Sequence, residues 1–193
     1  VERVIRYAFE LAMQRPRKEL VSATKSNALN YSMVFWDEVF WAVAKEYPEV
    51  KASQWHTDAL SAQFVRRPEA FSVVVASNLF GDILTDLAGA LQGSLGIPAG
   101  GNINPERKHP SMFEPIHGSA PKYAGKGVAN PIAAIWSGAM MLEFLGEKDA
   151  ADRIVRAKMA VTAEGRVLTP DLGGKASTSQ VADEVASKLR TVA

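Results

Sequence analysis

The chain has no cysteine among its 193 residues, which excludes disulfides, thiolate nucleophiles and zinc–thiolate sites. It also has no surplus of charge: 22 Lys and Arg against 21 Asp and Glu leave a formal net charge of +1. Such balance gives no long-range field to gather a polyanion, so no nucleic-acid partner is expected. No apolar run reaches the length of a membrane-spanning helix, and Glu2, Arg3 and Arg6 break any secretory-leader pattern at the start. No membrane association is expected, and a cytoplasmic setting fits. The G-x-G-x-x-G dinucleotide fingerprint is missing too, which argues against a Rossmann domain. What remains is 47% hydrophobic and 22% charged, an ordinary globular composition with length for one sizeable core or two small ones. The basic cluster Arg15-Pro16-Arg17-Lys18 reads as a solvated helix end.

Val4, Ile5, Ala8, Phe9, Leu11 and Ala12 form an amphipathic stripe with no capping residue ahead of it, so the chain reads as one cut in mid-helix. Leu20 to Thr24 reads as a strand. Ser32 is placed to cap a helix running to about Tyr47, where Pro48 stops it. A strand follows from Val50 to Trp55, and His56-Thr57-Asp58 opens a helix ending near Arg67. Phe71 to Ala76 is apolar on both faces and reads as a central strand. From Gly93 to Asn130 the sequence turns rich in Gly, Pro and Asn, with at most two short extended pieces, one at Ser111-Met112-Phe113. A loop that long in a compact domain is usually functional. Three helices close the chain, at about Pro131–Leu145, Asp149–Glu164 and Ser177–Val192. Strands alternating with helices in the first part define an α/β class.

The strongest chemical signal is the run SNLFGDILTDLAGALQGSLG, Ser77 to Gly96. Asp82 and Asp86 stand four residues apart among apolar positions at helical spacing (Ile83, Leu84, Leu87, Leu91), so both carboxylates share a face of an otherwise buried helix. Paired carboxylates repel unless a proton or cation neutralises them. Hard oxygen ligands without cysteine point to Mg²⁺ or Mn²⁺, with Asp58, on a separate helix start, as the best third ligand. Lys25, in Thr24-Lys25-Ser26-Asn27 at the end of a strand, is a candidate general base. The segment Glu114 to Pro121 (EPIHGSAP), continuing through Gly125-Lys126-Gly127 to Asn130-Pro131, offers backbone N–H groups suited to a nucleotide.

Together the runs NLFGDILTDLAG, EPIHGSAP and GKGVANP resemble the β-decarboxylating dehydrogenases, the isocitrate/isopropylmalate dehydrogenase family, over essentially the whole chain. SATKSNAL, HTDAL and GNINPERKHPSMFEPIHGSAP look most like its tartrate/D-malate branch. The resemblance implies the non-Rossmann α/β fold of that family, incomplete here and limited to its C-terminal half. It implies that Asp82 and Asp86 bind Mn²⁺ or Mg²⁺ together with Asp58 from a neighbouring subunit, in a homodimer with a shared active site. It further implies that Lys25, also donated across the dimer, is the catalytic base, that Asp58 belongs with it to the catalytic set, and that Asn27 helps to place substrate and nicotinamide. Glu114, His117, Gly118, Ser119, Ala120 and Asn130 would form the adenosine-binding loop. The implied reaction is oxidation and decarboxylation of a 2-hydroxy dicarboxylate, such as D-malate to pyruvate, with NAD⁺ or NADP⁺ taking the hydride.

Two departures from the family pattern bear on these expectations. Lys122-Tyr123 stands where NAD-using members carry an Asp, as in the NADP-using isocitrate branch, whereas Thr169-Pro170-Asp171-Leu172 keeps the NAD type. Lys122, Tyr123 and Asp171 therefore join the cofactor set, with NAD⁺ and NADP⁺ both open. Family members are also close to twice as long, and the arginines and tyrosine of their N-terminal half have no counterpart here. Residues 1–92 would belong to the dimerising, metal-site domain and 93–193 to the discontinuous cofactor domain. Alone, they are expected to bind neither substrate nor nicotinamide productively. Isopropylmalate or isocitrate oxidation, and a non-catalytic partner subunit, are the alternatives.

Overall fold

The computed structural model describes residues 1–191, so the expected last residue of the final helix, Val192, lies outside the described residues. The chain divides into two compact units, residues 1–91 and residue 92 onward.

The first unit opens with α1 (Glu2–Met13), whose stripe buries Ile5, Ala8, Phe9 and Ala12 while Val4 stays exposed. It continues with β1 (Glu19–Thr24), α2 (Ser32–Ala44), β2 (Lys51–His56), α3 (Thr57–Arg66), β3 (Val73–Val75) and α4 (Asn78–Leu91). The strands are parallel in the order β2-β1-β3, with Leu20 opposite Val73 and Thr24 opposite His56. Because side chains alternate along a strand, the sheet serves two cores. Leu20, Val73 and Val75 pack with Ile5, Phe9, Trp36 and Phe40 of α1 and α2. Val21, Ala23 and Val74 pack on the opposite face with Leu60 of α3 and Leu84 of α4. Fully buried Ser22 accepts a 2.9 Å hydrogen bond from Trp36 Nε1, which pins α2 to β1.

Three expectations are corrected here. The central strand is β1, and β3 lies at the edge of the described sheet. An all-apolar run reports burial on both faces, which helices supply, and not pairing along both edges. The N-cap of α2 is Tyr31, with no side-chain cap, because Ser32 already lies within the helix. On α4 only Leu84 and Gly89 are buried. Leu79 is 65% exposed, Ile83 55% and Leu91 41%, since no element of the first unit covers that face.

In the second unit, β4 (Ala99–Asn102) and β5 (Met112–Pro115) form an antiparallel pair within the long Gly/Pro-rich stretch. Gly101 lies opposite Phe113, where a Cβ would meet the ring at 3.0 Å. Helices α5 (Ile132–Leu145), α6 (Lys148–Glu164) and α7 (Thr178–Leu189) bury Ile132, Ala157, Val161, Val181 and Val185 in one cluster. Helix α7 starts with a full capping box between Ser177 and Gln180.

Candidate active site

In an open parallel sheet, ligands bind beyond the carboxyl ends of the strands, where neighbouring strands send their helices to opposite faces. Here β1 leads to α2 on one face, whereas its neighbours β2 and β3 lead to α3 and α4 on the other, so that point lies at the end of β1. Lys25 directly follows β1, and α4 carries Asp82 and Asp86. An apolar cavity of about 670 Å³ opens beside this end of the sheet, lined by Leu29, Trp36, Ala76 and Phe80 among others. None of the expected site residues lines it.

Lys25 Nζ lies 2.9 Å from Asp58 Oδ1, an ion pair that the sequence reading did not anticipate. Two strands bring it about. Thr24 and His56 are register partners, so the residues after β1 and β2 emerge side by side. The Thr57 hydroxyl then donates a 3.0 Å hydrogen bond to the Thr24 carbonyl, tying the start of α3 to the end of β1. The Lys25 ammonium holds the Asp58 carboxyl below the usual carboxylate range, helped by the Ala59 backbone N–H. Asn27 is exposed in the turn that follows.

Asp82 and Asp86 are both exposed on α4, and neither carboxylate has a hydrogen-bond or salt-bridge partner among the described residues. Asp82 lies beyond the first turn of α4, which contains no acidic residue, so helix-dipole compensation does not account for it. Among the described residues no three His, Asp or Glu side chains come together around one point. Asp58 therefore does not join Asp82 and Asp86 within one chain. Two unpartnered hard-oxygen donors fit a divalent cation only when further ligands come from outside the chain.

The expected nucleotide loop is exposed where ligand access is needed and anchored at its ends. Gly118, Ser119 and residues 121–129 are exposed, and His117 Nδ1 lies 2.9 Å from the Gly118 carbonyl. Ala120 takes the left-handed conformation at φ 42° before a 3-10 turn, Pro121–Tyr123, in which Lys122 Nζ sits 4.8 Å from the Tyr123 ring centre. Glu114 is exposed on β5. Thr178 closes the far side, donating from its backbone N–H to the Gly127 carbonyl and from its hydroxyl to the Ala129 carbonyl. Asn130 is buried, and its Oδ1 accepts from the Ile132 N–H at the start of α5. Asp171 faces this anchor, its Oδ2 accepting from Asn130 Nδ2 at 2.9 Å and from Ser94 Oγ at 2.5 Å. Ser94 has no part in the sequence reading, since a lone serine beside a glycine carries no motif.

The chain belongs to the isocitrate/isopropylmalate dehydrogenase family, whose profile matches residues 1–185. A probable tartrate dehydrogenase/decarboxylase of Bacillus subtilis is 53% identical over 189 residues, which is 98% of this chain and 53% of that protein. The D-malate dehydrogenase [decarboxylating] of Escherichia coli is 56% identical over 190 residues, 96% of this chain and 52% of that protein. The crystal structure of isocitrate dehydrogenase from Methylococcus capsulatus superposes with a TM-score of 0.92 at 45% identity, covering 98% of this chain and 56% of that one. The fold is thus that of the isocitrate/isopropylmalate dehydrogenases. The chain spans about half the length of the curated relatives it matches.

Proposed function

We propose that the protein carrying this chain oxidises and decarboxylates a 2-hydroxy dicarboxylate of the D-malate or tartrate type, with NAD⁺ or NADP⁺ as hydride acceptor. The observation that supports this best is the Lys25–Asp58 pair at the end of the parallel sheet, with Asp82 and Asp86 unpartnered on α4. The relatives named for tartrate and D-malate favour those substrates over isopropylmalate and isocitrate. Lys25 removes the proton from the substrate's 2-hydroxyl, directly or through water, and Asp58 orients its amine. Asp82 and Asp86 would hold Mg²⁺ or Mn²⁺, and a bound metal would supply Lewis acidity at the 2-hydroxyl and the adjacent carboxylate. Asp58 of a second subunit would complete that set, a reading compatible with its not joining the pair within one chain. The uncovered α4 face, with Leu79 and Ile83 more than half exposed, supports such a homodimer. Residues 1–92 then serve the dimerising, metal-site domain and 93–193 the cofactor domain. In the latter, Glu114 and residues 117–123 flank the adenosine, and Asn130 and Asp171 anchor the loop.

The test uses the intact protein. D-malate or tartrate, with Mn²⁺ or Mg²⁺ and either nicotinamide, should give reduced nicotinamide and, for D-malate, pyruvate and CO₂. Asp82→Ala should abolish metal-dependent turnover and leave the oligomer intact by light scattering. A clear preference for isopropylmalate or isocitrate, or full turnover by Asp82→Ala, would overturn the reading.

A further inference from the structure

Three loops of the second unit meet at one carboxylate. The Gly96 N–H donates to Ser94 Oγ at 2.9 Å, and Ser94 Oγ donates onward to Asp171 Oδ2. Asn130 Nδ2 donates to that same oxygen, while Asn130 Oδ1 accepts from the Ile132 N–H at 2.9 Å. The Ala133 N–H closes the circuit by donating to the Gly96 carbonyl at 3.0 Å. The network therefore runs from the loop before β4, through the 169–174 turn, to the first turn of α5. The contact is tight. A Cβ on Gly96 would lie 2.7 Å from Asn130 Cβ and 3.1 Å from Asp171 Oδ2, so glycine is what lets the loops approach. Both donors converge on Oδ2, so that oxygen of the exposed Asp171 is engaged within the protein and has no lone pair left for a ribose diol.

From this we infer that Ser94 and Asp171 are positioning residues that act through Asn130: they fix the exit of the nucleotide loop against β4 and set affinity for the cofactor without reading its ribose. The inference rests on the proposed nicotinamide site. It assigns Ser94 a role in cofactor binding and gives Asp171, a member of the expected cofactor set, its place in the support behind the loop. Loss of one hydrogen bond in such a network lets the exit of the loop sample more conformations, which weakens every ligand that depends on it by the same factor.

The decisive variant is Ser94→Ala in the intact protein, with Ser94→Thr, which keeps the hydroxyl, as the rescue. For Ser94→Ala the KM for NAD⁺ and for NADP⁺ should rise together, about fivefold to tenfold, the scale of one hydrogen bond. The ratio of kcat/KM between the two cofactors should stay at the wild-type value, and Ser94→Thr should recover most of the loss. Asp171→Asn should behave in the same way, and the double variant should lose less than the product of the two single losses. Amide hydrogen exchange without nucleotide should quicken at Gly96, Ile132 and Ala133 in Ser94→Ala. A changed cofactor ratio in Asp171→Asn would mean direct ribose contact and would overturn the inference. Unaltered KM values in Ser94→Ala would overturn it as well, whatever the exchange rates. If the wild-type protein binds no nicotinamide cofactor while exchange still responds to Ser94→Ala, the proposed function has failed and the positioning role falls with it. Unchanged exchange in a cofactor-binding protein sinks the network alone.

Discussion

Thr57→Val isolates the hydrogen bond that brings Lys25 and Asp58 together. Thr57 is 8% exposed, and its hydroxyl donates at 3.0 Å to the carbonyl of Thr24, which is fully buried. Valine keeps the shape and branching of threonine at the first position of α3, so helix propensity is nearly unchanged. The loss is therefore the hydrogen bond itself. A buried bond of this kind contributes about 1 kcal/mol, and up to about 3 kcal/mol when its partner is left unpaired. With the Thr24 carbonyl buried and its donor removed, we expect a loss of about 1–2 kcal/mol. In urea this lowers the unfolding midpoint by roughly 0.5 M at unchanged slope. The same bond ties the residue before Lys25 to the residue before Asp58, so the proposed turnover of the intact protein should fall with stability. Thr57→Ser restores the hydroxyl and should recover both. A Thr57→Val protein as stable as wild type, or a Thr57→Ser protein as impaired as Thr57→Val, would refute the argument.

Two further outcomes follow from the second unit. A Cβ at Gly174 would lie 1.9 Å from the Leu168 carbonyl oxygen, a clash with backbone that no side-chain rotation relieves. Gly174→Ala should therefore cost about 3 kcal/mol and lower the thermal midpoint by several degrees, and an unshifted midpoint would show that the turn is placed differently. Burial raises the pKa of Asp171, but hydrogen bonds from Ser94 and Asn130 outweigh it, so its carboxyl lies below the usual carboxylate range. A group with a depressed pKa contributes stability above its unfolded value and loses it as pH falls through the folded one. The acid limb of a stability–pH profile should therefore be shallower in Asp171→Asn, and identical limbs would contradict the assignment.

Local chemistry made much of this chain legible. The α1 stripe and the short strand from Leu20 to Thr24 carry their signal within a few residues, and the structure realises both, whereas the cap expected at Ser32 does not form. Asp82 and Asp86 were legible for the same reason, since helical spacing alone puts them on one face. What the sequence withheld depends on what lies opposite. Periodicity shows that the Ile83 face of α4 is apolar, but only a packing partner can bury it, and the first unit provides none. The two-faced apolarity of Val73 to Val75 suggested a central strand, yet helices on both sides of an edge strand produce the same pattern. Lys25 and Asp58 are 33 residues apart, and their pairing follows from the β1–β2 register, which no single-sequence motif encodes. Ser94 and Asp171, 77 residues apart, are more distant still. Motif reading finds groups that face a ligand because their chemistry is distinctive. It misses the groups that hold them, whose residue types are ordinary and whose importance lies in who their neighbours are. Support residues of this kind therefore have to be sought behind the motifs, at the buried ends of loops such as the one that Asn130 closes.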